Sequence, residues 1–320
     1  MYQLKTILEV VYSVGDMEKV KHFFCDYGGL NVVGDYQSDR TVLDFWNLDA
    51  SVTADEKLIG FENHIAGSLR LVKYHGTEQK YIRSSQNPWD IGGIMDINLR
   101  VPEVAQTFDE IRNLGWHGLS DPLLQEMGPF KLYDILMKGY DDIIIAFTHR
   151  VQPPLELPDG FKIPSHVYNS SLTVASLEKA QDFYMNKLGF SLLNEYEVKK
   201  DAPIENMFNI PMNMIEDVTC KVNIFSLDGT RDVMFQTCEF EGVVGRDFSD
   251  FAVPPNRGFL LYRCEVENVK GYYQSLLKKG VRMHQPLQEL TIEPYGKVKC
   301  FALLSPNGVW WEFLETNTQI

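Results

Sequence analysis

Several short stretches of this chain set polar side chains two residues apart, the spacing that brings them to one face of a β-strand. Asp96, Asn98 and Arg100 form one row, Asn169, Ser171 and Thr173 a second, and Arg263 and Glu265 continue a third from Leu261. Glu312 shares its face with Trp310 and Leu314. The residues between them, such as Ile97 and Leu99 or Tyr262, Cys264 and Val266, are apolar and suit the packed face. An arginine in such a row can grip a carboxylate through two parallel hydrogen bonds. A carboxylate buried beside tryptophan would have its pKa raised, which is what a general base needs near neutrality. A pocket built from Arg263, Asn169, Ser171, Glu312 and Trp310 would suit a small anionic or hydroxylated molecule with an apolar body. The plainer outcome is that Arg263 and Glu312 neutralise each other.

Other chemistries leave no trace. No GxGxxG, P-loop, GxSxG or HExxH pattern occurs. The five cysteines (Cys25, Cys220, Cys238, Cys264, Cys300) have no metal-ligand spacing, and their odd number suits reduced, buried thiols. A net charge of −14 without a Lys/Arg cluster argues against a nucleic-acid partner. No window has the apolar length of a membrane span, and the start MYQLKTILEVVYSV lacks signal-peptide features. The expectation is a cytoplasmic monomer or homodimer whose partner is a small molecule.

The elements that must position these rows are repeated. Val14 to Lys19, followed by Phe23-Phe24 and Gly29, recurs 160 residues later as Val174 to Lys179, Phe183-Tyr184 and Gly189. Each copy reads as a strand, a turn, an amphipathic helix and a stopping glycine, so a whole domain is duplicated. The Pro-rich stretch from Arg150 to Gly160 reads as the linker. Each half divides again: Ile94–Val101 and Phe259–Val266 are strands, with helices at Val104–Leu114 and from Val269 to Leu277. Phe61–Tyr74, Lys131–Phe147, Thr219–Gln236 and Lys297–Phe313 carry further strand signals. The order is βαβββ four times, an α+β chain with halves at 1–150 and 164–320 joined by a linker at 151–163. The units span about 1–80, 92–150, 164–240 and 257–316.

This unit resembles the vicinal oxygen chelate superfamily, which includes glyoxalase I, bleomycin-resistance proteins, methylmalonyl-CoA epimerase and the extradiol dioxygenases. The segment from Leu172 to Phe190 is similar to the family's opening strand and helix, and Ser305-Pro306-Asn307-Gly308 to Phe313 to its closing turn and strand. The resemblance implies tandem domains in which two units curl their mixed sheets into a cup that usually holds a divalent metal. Its first-strand ligands stand five residues before the Val that opens the turn: Glu9, Asp96, Asn169 and Leu261 here. On the closing strands the matching positions are Glu312 and Ala146, with Arg70 and Gln236 as approximate counterparts in units one and three.

None of these is histidine, so the aligned metal ligands are largely missing and Glu312 is the one intact closing-strand carboxylate. An iron dioxygenase would want two histidines and a carboxylate. Glu9 and Asp96, facing each other, would either bind a hard cation with water or share a proton. His166 lies on the opposite strand face from Asn169 by parity, and His64 and His75 flank the last strand of unit one. Tyr295 sits where relatives place a substrate-contacting hydroxyl. The implied function is a glyoxalase-type isomerase or lyase acting beside a carbonyl, with Glu312 as base, Tyr295 and Arg263 assisting, and Asn169, Ser171, Trp310, Gln236, Glu9 and Asp96 binding the substrate. A metal-free sequestering protein of the bleomycin-resistance type is the alternative. An extradiol-dioxygenase-like protein is the third reading.

Overall fold

The computed structural model describes residues 1–127 and 130–316; the end of the expected second half, 317–320, lies outside the described residues. Unit one comprises β1 (Gln3–Ser13), α1 (Met17–Lys21), β2 (Asn31–Gln37), α2 (Arg40–Phe45), β3 (Thr53–Phe61) and β4 (His64–His75). Unit two comprises β5 (Asp96–Arg100), α3 (Val104–Asn113), β6 (His117–Gly118), β7 (Leu123–Met127), β8 (Phe130–Lys138) and β9 (Ile144–Gln152). Unit three has β10 (Asn169–Thr173), α4 (Leu177–Gln181), β11 (Ser191–Lys199), β12 (Thr219–Ser226) and β13 (Phe235–Glu241). Unit four has β14 (Gly258–Glu267), α5 (Val269–Lys278), β15 (Gln285–Ile292), β16 (Gly296–Leu304) and β17 (Trp310–Glu315). No described helix is long and apolar enough to cross a membrane.

The repeated segments fold alike for local reasons. Asp16 caps α1 by accepting from the Lys19 amide at 3.1 Å, and Ser176 caps α4 by accepting from the Lys179 amide at 3.3 Å. Both helices continue as a wider turn, to Tyr27 and Leu188, and stop near Gly29 and Gly189. Those glycines have φ of 87° and 83°, where a side chain would be strained.

The pairing of units runs across the halves. One sheet has the order β15-β16-β17-β14-β1-β4-β3-β2 and joins units four and one; the other, β11-β12-β13-β10-β5-β9-β8-β6 with β7 on β8, joins units three and two. The seams are β1 against β14 and β5 against β10, both antiparallel. Each half of the chain therefore gives one unit to each sheet and does not close a cup by itself.

Strand alternation sorts side chains between two environments. Ile7, Val10, Tyr12, Ile97, Leu99, Leu172, Tyr262, Trp311 and Phe313 enter one core shared by both sheets. Within it Phe23 stacks on Trp116 with centroids 4.4 Å apart, and the Ser170 and Tyr262 hydroxyls meet at 2.6 Å. The opposite faces line the two cups. In β1 the register against β14 shifts between Ile7 and Glu9, and this bulge turns both Leu8 and Glu9 toward the cup.

Because each sheet needs both halves, residues 1–156 or 157–320 expressed alone should show no cooperative thermal transition by circular dichroism. Mixing the two fragments should restore one.

Candidate active site

Four neighbouring strands bring Glu312, Arg263, Glu9 and Arg70 into one line in the eight-stranded cup. Arg263 stands opposite Glu9 on β1 and beside Glu312 on β17. Arg70 on β4 holds Glu9 with two prongs, Nε to Oε2 at 2.7 Å and Nη2 to Oε1 at 2.6 Å, and its Nη1 reaches Glu56 on β3 at 2.5 Å. Arg263 donates Nη1 to Glu9 at 2.9 Å and Nε to Glu312 at 2.9 Å. The remaining carboxylate valences are met by neutral donors. Trp46 Nε1 donates to Glu312 at 2.6 Å, the Tyr295 hydroxyl to Glu9 at 2.7 Å, and the Ser38 hydroxyl to Glu56. Glu9, Arg70, Arg263 and Glu312 are all sealed from solvent.

Burial alone would raise the Glu9 pKa, but the guanidiniums of Arg70 and Arg263 outweigh it and hold the carboxyl down at about 2. The same carboxylates keep both arginines charged despite burial. Above the row, α2 and Trp46 fill the cup together with Val42, Phe45, Leu261, Leu290 and Ile292. A cavity of about 230 Å³ remains at its mouth, lined by Tyr36, Ser38, Asp39, Glu56, Thr291 and Glu293.

A divalent metal does not fit this donor set. The carboxylates already accept from guanidinium, indole or phenol, no imidazole is present, and a cation between Glu9 and Glu312 would lie against the Arg263 charge. The expectation that Glu312 ligates a metal is therefore corrected: its oxygens face Trp46 and Arg263. Arg263, two residues beyond the aligned Leu261, is the residue that meets Glu9. Trp310 is packed in the apolar filling, with His284 edge-on at 4.5 Å, and is not presented to a ligand.

The nine-stranded cup has the same construction and opposite chemistry. Asn169 pairs with Asn98 and Ser171 with Asp96 across the seam; Ala146 lies beside Asn98, and Gln236 beside Ser171. Amides run through it: Asn98 Nδ2 donates to Asp96 at 3.1 Å, Asn169 Nδ2 to Asn98 Oδ1 at 2.6 Å and Gln236 Oε1 at 3.2 Å, and Gln236 Nε2 to Ser171 Oγ at 3.0 Å. With no arginine bonded to it, Asp96 is pushed by burial to about 6. Asp134 on β8 accepts from Thr148 at 2.6 Å, whose hydroxyl in turn accepts from Tyr168 at 2.8 Å. Burial, added to by the Asp96 charge, raises Asp134 to about 7.

This cup retains accessible polar groups. Asp134, Tyr168, Tyr196 and Gln236 are only half-buried, and the buried Asn169 Oδ1 has no hydrogen-bond partner among the described residues. Arg100 lies over the Tyr168 ring, 4.4 Å from its centroid. The long connection from β11 to β12 sets Met207 and Phe208 against Met95, Leu136, Ile144 and Ala146, giving the polar floor an apolar wall. That connection corresponds to the one bearing α2 and Trp46 in the other cup.

Two groupings read from the sequence are thus redrawn. Asn169 and Ser171 do not share a pocket with Arg263, Glu312 and Trp310, because units three and four lie in different sheets. Glu9 and Asp96 do not face each other, for the same reason: Glu9 meets Arg263 and Asp96 meets Ser171. Asp134, Tyr168, Glu56 and Trp46 escaped the sequence reading. The first two stand beyond the first and last strands of a unit; only the alternation of Leu132, Asp134 and Leu136 pointed to a shared face.

Residues 164–313 match the Glyoxalase/Bleomycin resistance protein/Dioxygenase superfamily. A "Probable lactoylglutathione lyase" of Synechocystis sp. is 26% identical over 160 residues, 49% of this chain and 91% of its own. Glyoxalase I from Zea mays superposes with a TM-score of 0.62 at 14% identity, over 98% of this chain and 92% of that one. A dioxygenase-like protein of Bacillus subtilis gives 0.57 at 12% identity, over 99% and 86%. The fold is that of glyoxalase I across the whole chain. Residues 164–313 thus carry the superfamily's sequence pattern, and the whole chain shares the fold of its glyoxalase I structures.

Removing one partner of a buried ion pair strands the others, so Arg263→Met should cost about 3–5 kcal/mol, read from the denaturant midpoint. The nine-stranded cup acts in the opposite sense. Asp96 and Asp134 titrate above the unfolded value of about 4, so the folded state binds more protons and its stability falls as pH rises through about 6 and about 7. Asp134→Asn should flatten that fall, measured as the denaturant midpoint between about pH 5 and about pH 8.

Proposed function

We propose that the nine-stranded cup is the working site, and that the chain moves a proton beside the carbonyl of a small organic substrate as a glyoxalase-type isomerase or lyase. The observation that carries this reading is the pair Asp96 and Asp134, two carboxyls raised toward neutrality in a cup with accessible polar groups. One protonated and one ionised carboxyl can supply acid and base together. Asn98, Asn169 and Gln236 offer donors and acceptors for a carbonyl or hydroxyl, Arg100 at Tyr168 offers a charge for an anionic end, and Met207 with Phe208 covers an apolar body. The acid/base role expected of Glu312 passes to this pair, and Glu9, Arg70, Arg263, Tyr295 and Glu312 become the structural row of the other cup.

The Synechocystis relative is named for a lyase of a glutathione adduct, which favours 2-oxoaldehydes with a thiol as the first substrates to try. The test follows solvent deuterium entering the carbon beside the carbonyl by NMR, over a panel of such compounds. Exchange should peak between about pH 6 and about pH 7, where one carboxyl is charged and the other is not. Asp134→Asn and Asp96→Asn should each lower it about 10²–10⁴-fold. Exchange untouched by both substitutions would overturn the assignment. Saturable binding with no exchange would favour the second reading, a sequestering protein, which the missing chelate ligands support.

A further inference from the structure

Outside both cups, three potential ligands from both halves of the chain converge. His64 opens β4, His166 lies in the segment leading into β10, and Asp232 sits between β12 and β13. His64 Nε2 is 3.5 Å from Asp232 Oδ2 and His166 Nε2 is 3.5 Å from Asp232 Oδ1, while the two rings are 4.5 Å apart. The donor atoms all lie within 4.8 Å of one another. His64 Nε2 is shielded from solvent and has no hydrogen-bond partner among the described residues, although the residue is not deeply buried.

The backbone here is built for close approach. Gly67, with φ of 70°, passes the 166–167 segment so tightly that a Cβ would meet Val167 O at 2.6 Å and the His166 ring at 2.8 Å. The Val167 amide donates to Gly67 O at 2.9 Å, fixing β4 beside that segment. Neither the proton-transfer site nor the arginine row uses these residues.

We propose that His64, His166 and Asp232 bind one divalent transition metal of the zinc class, with water at the fourth position. Ligand atoms about 2.0–2.2 Å from a tetrahedral zinc stand about 3.3–3.6 Å from one another. Each imidazole already stands 3.5 Å from one Asp232 oxygen, His64 from Oδ2 and His166 from Oδ1, so a modest turn of the carboxylate brings one oxygen to serve both. Two imidazoles select Zn, Cu, Ni or Co over Mg or Ca. His166 Nε2 now faces the Asp232 carbonyl oxygen at 3.0 Å, so binding turns that nitrogen from this contact to the metal and places any proton on Nδ1. Asp232 is exposed and free to rotate its carboxylate onto the ion. The metal would tie β4 of the eight-stranded sheet to the approach of β10 in the nine-stranded one.

The experiment titrates the chelator-stripped full chain with zinc by calorimetry, then with cobalt by visible absorption. One ion per chain should bind, cobalt should show the intense bands of a four-coordinate site, and zinc should raise the melting temperature. His166→Ala and Asp232→Ala should each weaken binding at least roughly tenfold and abolish the thermal shift. His75→Ala, which removes an exposed histidine paired with Asp55, should change neither. Asp232 is exposed, so its variant carries the test if His166→Ala does not fold. Absence of saturable zinc binding, or binding that survives Asp232→Ala, would overturn the site.

Discussion

Glu312, Arg263, Glu9, Arg70 and Glu56 stand on five adjacent strands, with charges alternating in sign, and this row constrains most of the first cup. Desolvating so many charges offsets most of their mutual attraction, so the row selects partners more than it adds net stability. A slip of β14 along β1 by one residue would set Glu9 against an apolar neighbour and break the Arg263–Glu9 contact that crosses the seam. The covering connections are bound to the same row, since Trp46 and Tyr295 each donate to one of its carboxylates. Register, lid and seam are thus fixed by one set of contacts.

The two cups show how a single backbone plan supports opposite electrostatics. At corresponding strand positions one carries arginines and glutamates, the other amides, a serine and an alanine. Guanidiniums next to a carboxyl lower its pKa, as at Glu9; their removal to the rim leaves burial to raise it, as at Asp96 and Asp134. A locked carboxylate cannot exchange protons near neutrality, whereas a carboxyl poised between its forms can.

Much of the fold was legible because its signals are local. The Asp16 and Ser176 caps, the glycines at 29 and 189, and the alternation in β5 and β14 each follow from a few neighbouring residues. Partner choice is not local. Nothing in the stretch from Ile94 to Val101 distinguishes β10 from β1 as its neighbour, and every candidate contact drawn between units three and four depended on that choice. The polar rows were identified by parity, but many of their partners lay far along the chain, as in Asn169 with Asn98 and Tyr295 with Glu9. The bulge that turns Glu9 inward also leaves no strong sequence mark, since it arises where β1 and β14 must match registers.

The strand order has a further consequence in time. Units two and three are consecutive in the chain and meet at β5 and β10, whereas β1 must wait for β14, the opening strand of the final unit. At a synthesis rate of about 5–20 residues per second, the wait is on the order of ten to fifty seconds. Throughout it, the β1 edge and its Glu9 lack the strand that brings Arg263. The molecule is nested like a pair of brackets: the inner sheet can close on the ribosome, and the outer one closes around it last.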